Sequence, residues 1–254
     1  MTITLFQQDI EWQDPEANYA KIAEQLAHTH TDLFVLPEMC NTGFNTMRNP
    51  LVEPARDVEQ RLLQWAEQFH TALCGSFAVS DGVRNYNRCY FVTPAHEVYI
   101  YDKHHVFAIG GEHHAFTPGQ QRVVVSYQGV RFLLTVCYDL RFPLWLRNTQ
   151  EESYDVLLTV ANWPEKRRLA WDTLLAARAI ENQVYAVGVN RIGHDAFCQY
   201  DGGTSVYHPY GHALASVPAH TEGLVSFSPD MQKLGDFRTK FPSLRDADSF
   251  LLNR

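Results

Sequence analysis

Short apolar runs and stretches with helical spacing alternate along the first part of the chain. Residues 2–9 are rich in β-forming residues and alternate between apolar and polar positions, which predicts a first strand. An N-cap, a proline and a first-turn acid then predict the start of a helix, at Asp14, Pro15 and Glu16. A continuous apolar run at 32–36 predicts a buried strand that ends at Pro37-Glu38.

The same pattern continues through the rest of the chain. Further strands are predicted near 72–79, 86–93, 97–101, 122–127, 130–136, 155–160 and 184–189, with strands and turns over 196–228. Helices are predicted after Pro54, from about Pro143 and at about 167–182, whereas 110–114 has the composition of a loop. Helices on both sides of a β-rich middle favour a layered α/β fold with sites at the carboxyl ends of strands. The polar tail, 229–254, is typical of an arm that packs on another subunit.

Composition excludes several classes of function. The chain has 254 residues, of which 45% are hydrophobic, enough for one large domain or two small ones. A net charge of -8 without a basic run disfavours a nucleic-acid partner. No apolar stretch approaches the roughly 20 residues that span a bilayer, and the N-terminus lacks the basic start of a signal peptide. Five scattered cysteines predict neither a disulfide framework nor a thiolate metal site. Free thiols without a signal peptide indicate the reducing cytoplasm.

The most informative segment is 133–143, where an apolar run stops at a cysteine and a polar stretch leads to Pro143. A strand that enters a helix through a tight turn lifts the first turn residue out of the sheet. Free backbone N–H groups then face whatever that residue attacks. This arrangement makes Cys137 a candidate catalytic nucleophile. A single cysteine after an apolar run is usually a buried small hydrophobe, however, and on this segment alone that interpretation is favoured.

Two further polar residues, Glu38 and Lys103, also follow apolar strands. The carboxyl ends of strands meet at one crevice in layered α/β folds, so a carboxylate, an ammonium and a thiol are expected together. The ammonium should lower the pKa of the Cys137 thiol and stabilise an oxyanion. The carboxylate should carry the thiol proton to a leaving group. Taken singly, Glu38 is better explained as a cap or a solvated acid and Lys103 as a surface charge; their combination favours catalysis.

Three segments carry a resemblance to a known family: Leu36-Pro37-Glu38, Tyr101-Asp102-Lys103-His104-His105-Val106-Phe107 and Val136-Cys137-Tyr138-Asp139-Leu140-Arg141-Phe142-Pro143. In order and separation they resemble the signatures of the nitrilase, or carbon–nitrogen hydrolase, superfamily. The resemblance covers nearly the whole chain. It implies an α/β fold, a four-layer α-β-β-α sandwich forming a single domain over 1–254, with 229–254 as a C-terminal arm at a subunit interface. It also implies a homodimer, because family members commonly pair through their helical faces.

The resemblance also implies a role for each matching residue. Cys137 would be the nucleophile, and Glu38 would be the general base that later protonates departing ammonia. Lys103 would hold the tetrahedral oxyanion together with the backbone N–H of Tyr138. The family has a further glutamate downstream of its lysine, and Glu112 fits that place as a residue that orients Lys103. A solvated loop acid is the alternative for Glu112.

One departure narrows the resemblance to a branch. Many members carry a glutamate directly after the Arg-Phe-Pro, where this chain has Leu144-Trp145. In this respect the chain resembles the short bacterial ω-amidases, which release ammonia from the terminal amide of 2-oxoglutaramate or 2-oxosuccinamate. Other carbon–nitrogen hydrolase specificities remain as alternatives, with an N-carbamoyl compound, an aliphatic amide or a nitrile as substrate. A catalytically silent binding protein with the same fold is a further alternative.

Substrates of that branch carry a carboxylate at the far end, which a cation should face. The candidates are Arg141, Arg167 and Arg168. A structural ion pair is the favoured alternative for the first, and a solvated helix start for the other two. We expect Arg178 to pair with a buried acid such as Glu181 or Asp139. Further substrate-binding candidates are Phe44, Asn162 and Trp163, although core packing explains Phe44 and Trp163 equally well.

Histidines near Glu112 suggest a metal site, at His104, His105, His113 and His114. They lack the i, i+4 spacing of a helical zinc motif. Adjacent histidines on a strand also point to opposite faces of the sheet. The sequence therefore predicts an active site without a metal or another cofactor.

Overall fold

The computed structural model describes residues 1–46 and 49–251, and within these ranges it contains fifteen strands and five α-helices. The strands are β1 (Ile3–Gln7), β2 (Leu33–Val35), β3 (Glu53–Pro54), β4 (Ala72–Ser80), β5 (Asn85–Val92), β6 (Val98–Asp102), β7 (Val124–Tyr127), β8 (Val130–Val136), β9 (Val156–Ala161), β10 (Tyr185–Asn190), β11 (Ile192–His194), β12 (Gln199–Asp201), β13 (Ser205–Tyr207), β14 (Ala213–Ser216) and β15 (Gly223–Phe227). The helices are α1 (Pro15–Ala27), α2 (Ala55–Phe69), α3 (Glu112–Ala115), α4 (Arg168–Asn182) and α5 (Met231–Lys240). Residues 252–254 of the predicted arm lie outside the described ranges.

The first sheet joins the beginning of the chain to its end. Its main order is β15-β1-β2-β4-β5-β6, and β3 pairs with β4. The central strands β1, β2 and β4 run parallel, because Leu33 of β2 pairs with Ile3 on one side and with Ala72 on the other. The short strand β2 therefore lies inside the sheet, and its carboxyl end leads directly to Glu38.

The second sheet has the order β14-β13-β10-β9-β8-β7. Its centre is parallel, with Val136 of β8 paired to Val160 of β9. The carboxyl ends of parallel strands lie at one edge of a sheet. Cys137 and Asn162 directly follow β8 and β9, so this register places them next to each other at that edge.

The two sheets pack face to face, and helices cover their outer faces. The rings of Phe91 in β5 and Phe132 in β8 meet between the sheets, with centroids 5.6 Å apart. Helices α1 and α2 share one apolar cluster with the first sheet. Helix α4 approaches the second sheet so closely that a Cβ at Gly188 would lie 2.4 Å from Leu175. The layers therefore follow the predicted α-β-β-α order, and the predicted fold class is confirmed.

Most of the predicted elements are present. The start of α1 is an example in which the predicted local interaction is observed. Asp14 caps this helix as predicted, since its carboxylate accepts the N–H of Ala17 at 3.1 Å. Within the described residues, no helix has the length and apolar character needed to cross a membrane.

Three local predictions are wrong or incomplete. The short helix expected from about Pro143 is absent, because the helical turn comes earlier, as a 3-10 turn over Cys137–Arg141. The segment 110–114, expected to be a loop, contains most of α3. Gly111, with a φ of 79°, ends the 3-10 turn Ala108–Gly110 and is the residue directly before α3. Part of the predicted arm forms α5, which packs on its own chain through Leu234.

Candidate active site

Four polar residues form a compact cluster, and three of them lie just after the ends of strands. Glu38 follows β2, Lys103 follows β6 and Cys137 follows β8, while Glu112 begins α3. Lys103 Nζ donates to Glu38 Oε1 at 2.9 Å and to the two Glu112 oxygens at 3.0 and 2.9 Å. The Cys137 thiol lies within hydrogen-bonding reach of the Glu38 carboxylate. The structure therefore brings together the four side chains that the sequence singled out.

Cys137 sits at a strained turn between β8 and the 3-10 turn Cys137–Arg141. Its φ of 47° lies in the left-handed region, where residues other than glycine are uncommon. Tyr138 is the second residue of this turn. Since the first N–H groups of a helical turn have no acceptor within it, the backbone N–H of Tyr138 is free to bind an anion beside the thiol.

A buried carboxylate holds this turn in place. Asp139 accepts the backbone N–H groups of Val136 and His105, each at 2.9 Å, and the hydroxyl of Tyr101 at 2.7 Å. It also contacts the His105 ring, with 2.8 Å between Oδ1 and Nδ1. These bonds tie the end of β8 to the segment after β6, so the supports of Cys137 and Lys103 share one anchor.

Asn87, in the middle of β5, joins the two glutamates. Its Nδ2 donates to Glu38 Oε1 at 2.7 Å and to Glu112 Oε1 at 3.0 Å. Its Oδ1 accepts the hydroxyl of Ser76 at 2.8 Å. Asn87 and Lys103 therefore donate to the same two carboxylate oxygens from two sides.

Asn162 completes the surroundings of Glu38. Its backbone N–H donates to Glu38 Oε2 at 2.7 Å, and its Nδ2 donates to the Glu38 carbonyl oxygen at 2.8 Å. The predicted substrate-binding candidate Asn162 thus fixes the carboxylate of Glu38, and it also lines the cavity described below.

Charge and burial act in opposite directions on the buried cluster. Burial lowers the pKa of Lys103, but the carboxylates of Glu112 and Glu38 outweigh it and hold that pKa above its ordinary value. Burial raises the pKa of Glu112 above its ordinary value; Lys103 opposes this effect and Glu38 adds to it. The ammonium of Lys103 is therefore retained at neutral pH, where it compensates the two acids.

The resting Cys137 is a neutral thiol. Burial and the nearby Glu38 raise the pKa of Cys137 well above its ordinary value, and Lys103 offsets only part of that rise. The sequence prediction that Lys103 lowers the thiol pKa is thus right for this one interaction and wrong for the net result. The reason is that burial disfavours the thiolate and that both glutamates oppose the effect of the ammonium, so a nearby proton acceptor is needed for the thiol to attack.

Cys137 opens into a cavity of about 510 Å³. Lys103, Tyr138 and Asn162 line it, together with aromatic side chains at Phe44, Phe107, Trp163, Phe197 and Tyr200. Lys103 Nζ lies 5.3 Å from the centroid of the Phe44 ring. The wall candidates Phe44 and Trp163 therefore face this cavity.

The three arginine candidates differ in whether they line the cavity. Arg141 and Arg167 line the cavity, and the Arg141 guanidinium lies 4.7 Å from the centroid of the Trp163 ring. Arg168 does not line it, because its guanidinium pairs with Asp172 and Asp201. The favoured explanation of Arg141 as a structural ion pair is wrong, since it pairs with no carboxylate among the described residues.

Arg178 behaves as predicted. Its guanidinium pairs with Glu181 at 2.9 Å and donates to the carbonyl oxygen of Leu140 at 2.9 Å. The partner is therefore Glu181 and not Asp139. The second bond supports the end of the turn that begins at Cys137.

Comparison with known proteins places this arrangement in a family. The model of the family "Carbon-nitrogen hydrolase" matches residues 2–239 of the chain. This chain belongs to the carbon–nitrogen hydrolase family. Among its relatives, "Omega-amidase YafV" of Escherichia coli (strain K12) is 41% identical over 254 residues, which cover 99% of this chain and 98% of YafV.

Two more relatives extend the comparison. The "2-oxoglutaramate amidase" of Bacillus subtilis (strain 168) is 31% identical over 96% of both chains. XC1258 from Xanthomonas campestris, a solved CN-hydrolase superfamily protein, is 34% identical and superposes with a TM-score of 0.93. The superposition covers 100% of this chain and 99% of XC1258. The chain is therefore an enzyme of carbon–nitrogen bond hydrolysis with the fold of its family.

The histidines of this carbon–nitrogen hydrolase take part in ring packing. His104 stacks on Trp145 with centroids 3.8 Å apart, and His105 stacks on Phe142 at 3.7 Å. The two imidazoles follow β6 and lie 4.5 Å apart, so the expectation that they point to opposite faces of a strand is wrong. Among the residues that the structure describes, no three histidines, cysteines or acids are grouped as metal ligands.

Two contributors to the site have no clear signal in the sequence of this hydrolase. Asn87 lies inside a strand, with no change of composition to mark it. The hairpin of β11 and β12 supplies Tyr200 and Phe197 to the cavity, although its segment, 192–201, looks like ordinary strand and turn. The sequence marks Asn87 only as a polar residue on the buried face of a strand with a period-2 pattern, which does not indicate a place in the site.

Proposed function

We propose that this carbon–nitrogen hydrolase is an ω-amidase, which hydrolyses the terminal amide of small 2-oxo acid amides such as 2-oxoglutaramate and 2-oxosuccinamate. The products are the dicarboxylate and ammonia, and a thioester on Cys137 is the intermediate. The Escherichia coli omega-amidase and the Bacillus subtilis 2-oxoglutaramate amidase, to which this chain is similar, support this choice of substrate. The cluster of Glu38, Lys103, Glu112 and Cys137 supports the chemistry.

One observation carries the choice of an anionic substrate. Arg141 lines the same cavity as Cys137, is half-buried, and pairs with no carboxylate among the described residues. A partly buried guanidinium without a partner is a strong site for a carboxylate, which it binds through two parallel hydrogen bonds. Arg167 also lines the cavity but is exposed, so solvent screens its charge more strongly. We assign the carboxylate to Arg141.

The first half of the proposed reaction forms the thioester. As the Cys137 sulfur attacks the amide carbon, its proton passes to Glu38, because the resting group is a thiol with a raised pKa. The carbonyl oxygen becomes an oxyanion, which Lys103 Nζ and the backbone N–H of Tyr138 stabilise. Glu38 then gives its proton to the amide nitrogen, the carbon–nitrogen bond breaks, and ammonia leaves.

The second half releases the acid. Water attacks the thioester carbon while Glu38 takes one of its protons. The same two donors hold the second oxyanion. The carbon–sulfur bond then breaks, and the proton on Glu38 returns to the sulfur of Cys137. Glu112 accepts two hydrogen bonds from Lys103 throughout, and so keeps the ammonium aimed at the oxyanion.

A paired substrate screen tests the proposal. We expect rapid ammonia release from 2-oxoglutaramate and slow release from N-carbamoyl-β-alanine and from a neutral amide of similar length. Exclusive turnover of the carbamoyl compound or of a nitrile would replace the ω-amidase assignment with that specificity. If no such compound reacts and binding alone is found, the protein is the silent binding alternative.

Variants of the arginines test the carboxylate site. Arg141→Met should lower kcat/KM for 2-oxoglutaramate by about a hundredfold, as expected for the loss of a charge-assisted pair worth roughly 3 kcal/mol. Its effect on a neutral amide should be small. Arg167→Met should act weakly, and the exposed Arg56→Met on α2 is the matched control. Equal losses on charged and neutral amides in Arg141→Met would contradict the assignment.

We also propose a cytoplasmic homodimer in which the whole chain, 1–254, acts as a single domain and 229–254 contributes to the subunit contact. The unpaired cysteines support a reducing compartment. An exposed apolar patch supports the dimer: Ile180, Tyr210 and Phe241 are 54%, 63% and 60% exposed. The position of Gly211 beside the Ile180 side chain links the first two.

A further inference from the structure

Glu38 and Glu112 present a problem of proton control. Both are buried, both contact Lys103, and the mechanism requires Glu38 alone to exchange a proton with Cys137. A buried acid with a raised pKa, such as Glu112, would compete for that proton. Some feature of the site must keep the proton on one carboxylate.

The hydrogen bonds around each oxygen identify that feature. Glu38 Oε1 accepts hydrogen bonds from Lys103 and Asn87. Glu112 Oε1 accepts hydrogen bonds from the same two side chains. Glu112 Oε2 accepts from Lys103 and from the backbone N–H of Phe107. A carboxylate oxygen has two lone pairs, so these three oxygens are filled. Among the residues that the structure describes, Glu38 Oε2 accepts one hydrogen bond, from the backbone N–H of Asn162, which leaves a lone pair for the thiol.

We propose that Asn87 is a positioning residue that directs the Cys137 proton to Glu38 Oε2. Its amide fills Glu38 Oε1 and Glu112 Oε1, and this leaves Oε2 as the Glu38 oxygen with a lone pair for the thiol proton. This proposal rests on the proposed function for the reaction that is catalysed. The hydrogen bonds from which it is argued involve only Asn87 and the groups around the Cys137 thiol and the two glutamates.

The orientation of Asn87 is itself fixed. Its Oδ1 accepts the hydroxyl of Ser76, and Ser76 Oγ in turn accepts the backbone N–H of Met39 at 3.0 Å. Because the Ser76 proton is donated to Oδ1, the amide NH₂ must face the glutamates. Met39 adjoins Glu38 in sequence, so one chain of bonds sets both the amide and the segment that carries the base.

The proton path balances through the whole cycle. The proton moves from Cys137 Sγ to Glu38 Oε2 as the sulfur–carbon bond forms, and from Oε2 to the nitrogen as the carbon–nitrogen bond breaks. A proton of water then moves to Oε2 as the oxygen–carbon bond forms. It returns to Sγ as the carbon–sulfur bond breaks. Glu112 and Lys103 keep their protonation states, and Asn87 donates to the same oxygens throughout.

The test is the pH dependence of Asn87 variants. Removing the amide donor, in Asn87→Ala, destabilises the ionised form of the Glu38–Cys137 pair. Adding a charge, in Asn87→Asp, does so more strongly. The acidic limb of kcat/KM should therefore move to higher pH, by about one unit in Asn87→Ala and by more in Asn87→Asp. Ser76→Ala should give a smaller shift in the same direction, since it releases the orientation of the amide.

A second readout requires no substrate. The rate at which iodoacetamide alkylates Cys137 also depends on the loss of one proton from the Glu38–Cys137 pair. Its acidic limb should shift with that of kcat/KM. If the enzyme hydrolyses no 2-oxo acid amide, the proposed function fails while the alkylation profile still tests the role of Asn87.

Asn148→Asp is the matched control. Asn148 is also buried, and its side-chain amide donates to the carbonyl oxygens of Tyr154 and Asn182, which are not part of the cluster. It should lower stability without moving either limb. Unshifted limbs in Asn87→Ala and Asn87→Asp, with reduced activity alone, would show that Asn87 is structural. If the Asn87 variants fail to fold, an unshifted limb in Ser76→Ala would overturn the proposal.

Discussion

Cys137 is held in a backbone conformation that glycine adopts more easily than any other residue. The conformation places the thiol beyond the end of β8, where Glu38 is within reach. Asp139 accepts the backbone N–H of Val136, directly before this turn, and that of His105, after β6, and so keeps the turn from relaxing. The local strain is therefore balanced by this buried network.

This strain predicts different stabilities for two inactive variants. Cys137→Ala and Cys137→Gly both lack the nucleophile and should abolish turnover. Cys137→Gly removes the left-handed strain, so it should unfold at higher urea than Cys137→Ala, by about 1 kcal/mol in the free energy of unfolding. Equal midpoints, or a more stable alanine variant, would indicate that the turn is not strained. Residual turnover in either variant would exclude Cys137 as the nucleophile.

At the scale of elements, the hairpin of β11 and β12 contributes to one wall of the cavity and contacts a buried arginine. Arg191 is fully buried, and its Nε and Nη2 donate to the carbonyl oxygens of Ile192 and Ile10, each at 2.8 Å. Its guanidinium also lies 4.6 Å from the centroid of the Tyr200 ring. The arginine thus joins the hairpin to the segment after β1.

We predict that Arg191→Lys disturbs substrate binding more than chemistry. A lysine keeps the charge but loses the planar fork that reaches both carbonyl groups. The hairpin should loosen, so KM should rise about tenfold, the equivalent of one lost hydrogen bond near 1.4 kcal/mol, while kcat changes little. Steady-state kinetics measure both constants.

The control for this prediction is Arg131→Lys, which alters an ion pair with Asp155 outside the cavity. It should leave KM unchanged. A fall in kcat with an unchanged KM in Arg191→Lys would mean that the hairpin acts on the reacting groups and not on substrate binding.

Sequence patterns predicted those parts of the site that lie where strands end. Glu38 and Cys137 each follow an apolar run, and a change from apolar to polar residues is visible in one dimension. Asn87 and Ser76 lie inside neighbouring strands, and their contact depends on the antiparallel register that pairs Ser76 with Cys89. Register arises from pairing between distant segments, so no local pattern carries it.

The position of Arg141 could not be decided from the sequence for a related reason. A basic residue four positions after Cys137 is compatible with an ion pair behind the turn or with a place in the cavity. The choice depends on where the nearest acids lie in space. In the folded chain Asp139 is already occupied by Val136, His105 and Tyr101, which leaves Arg141 without that partner.

At the scale of the whole molecule, the exposed apolar patch is formed by residues that do not line the cavity of the site. The patch includes Ile180 near the end of α4 and Tyr210 in the turn between β13 and β14. The Tyr210 ring packs on Phe237 of α5 with centroids 4.4 Å apart, and Phe237 neighbours Phe241. Contiguous exposed apolar surface of this kind marks protein contact sites.

We predict that Ile180→Glu converts the proposed homodimer to a monomer. A charge in the centre of an apolar contact would be buried without a partner, at a cost of several kcal/mol per ion, and each subunit of a two-fold dimer would carry it. Light scattering after size exclusion measures the mass. Val83→Glu is the control, because Val83 is 88% exposed in the turn between β4 and β5, and it should leave the dimer intact.

A dimer that persists in Ile180→Glu would place the subunit contact elsewhere, and a monomeric parent protein would exclude the dimer itself. Because Ile180 is not among the residues that line the cavity, activity that persists in a monomeric variant would further show that each subunit carries a complete site.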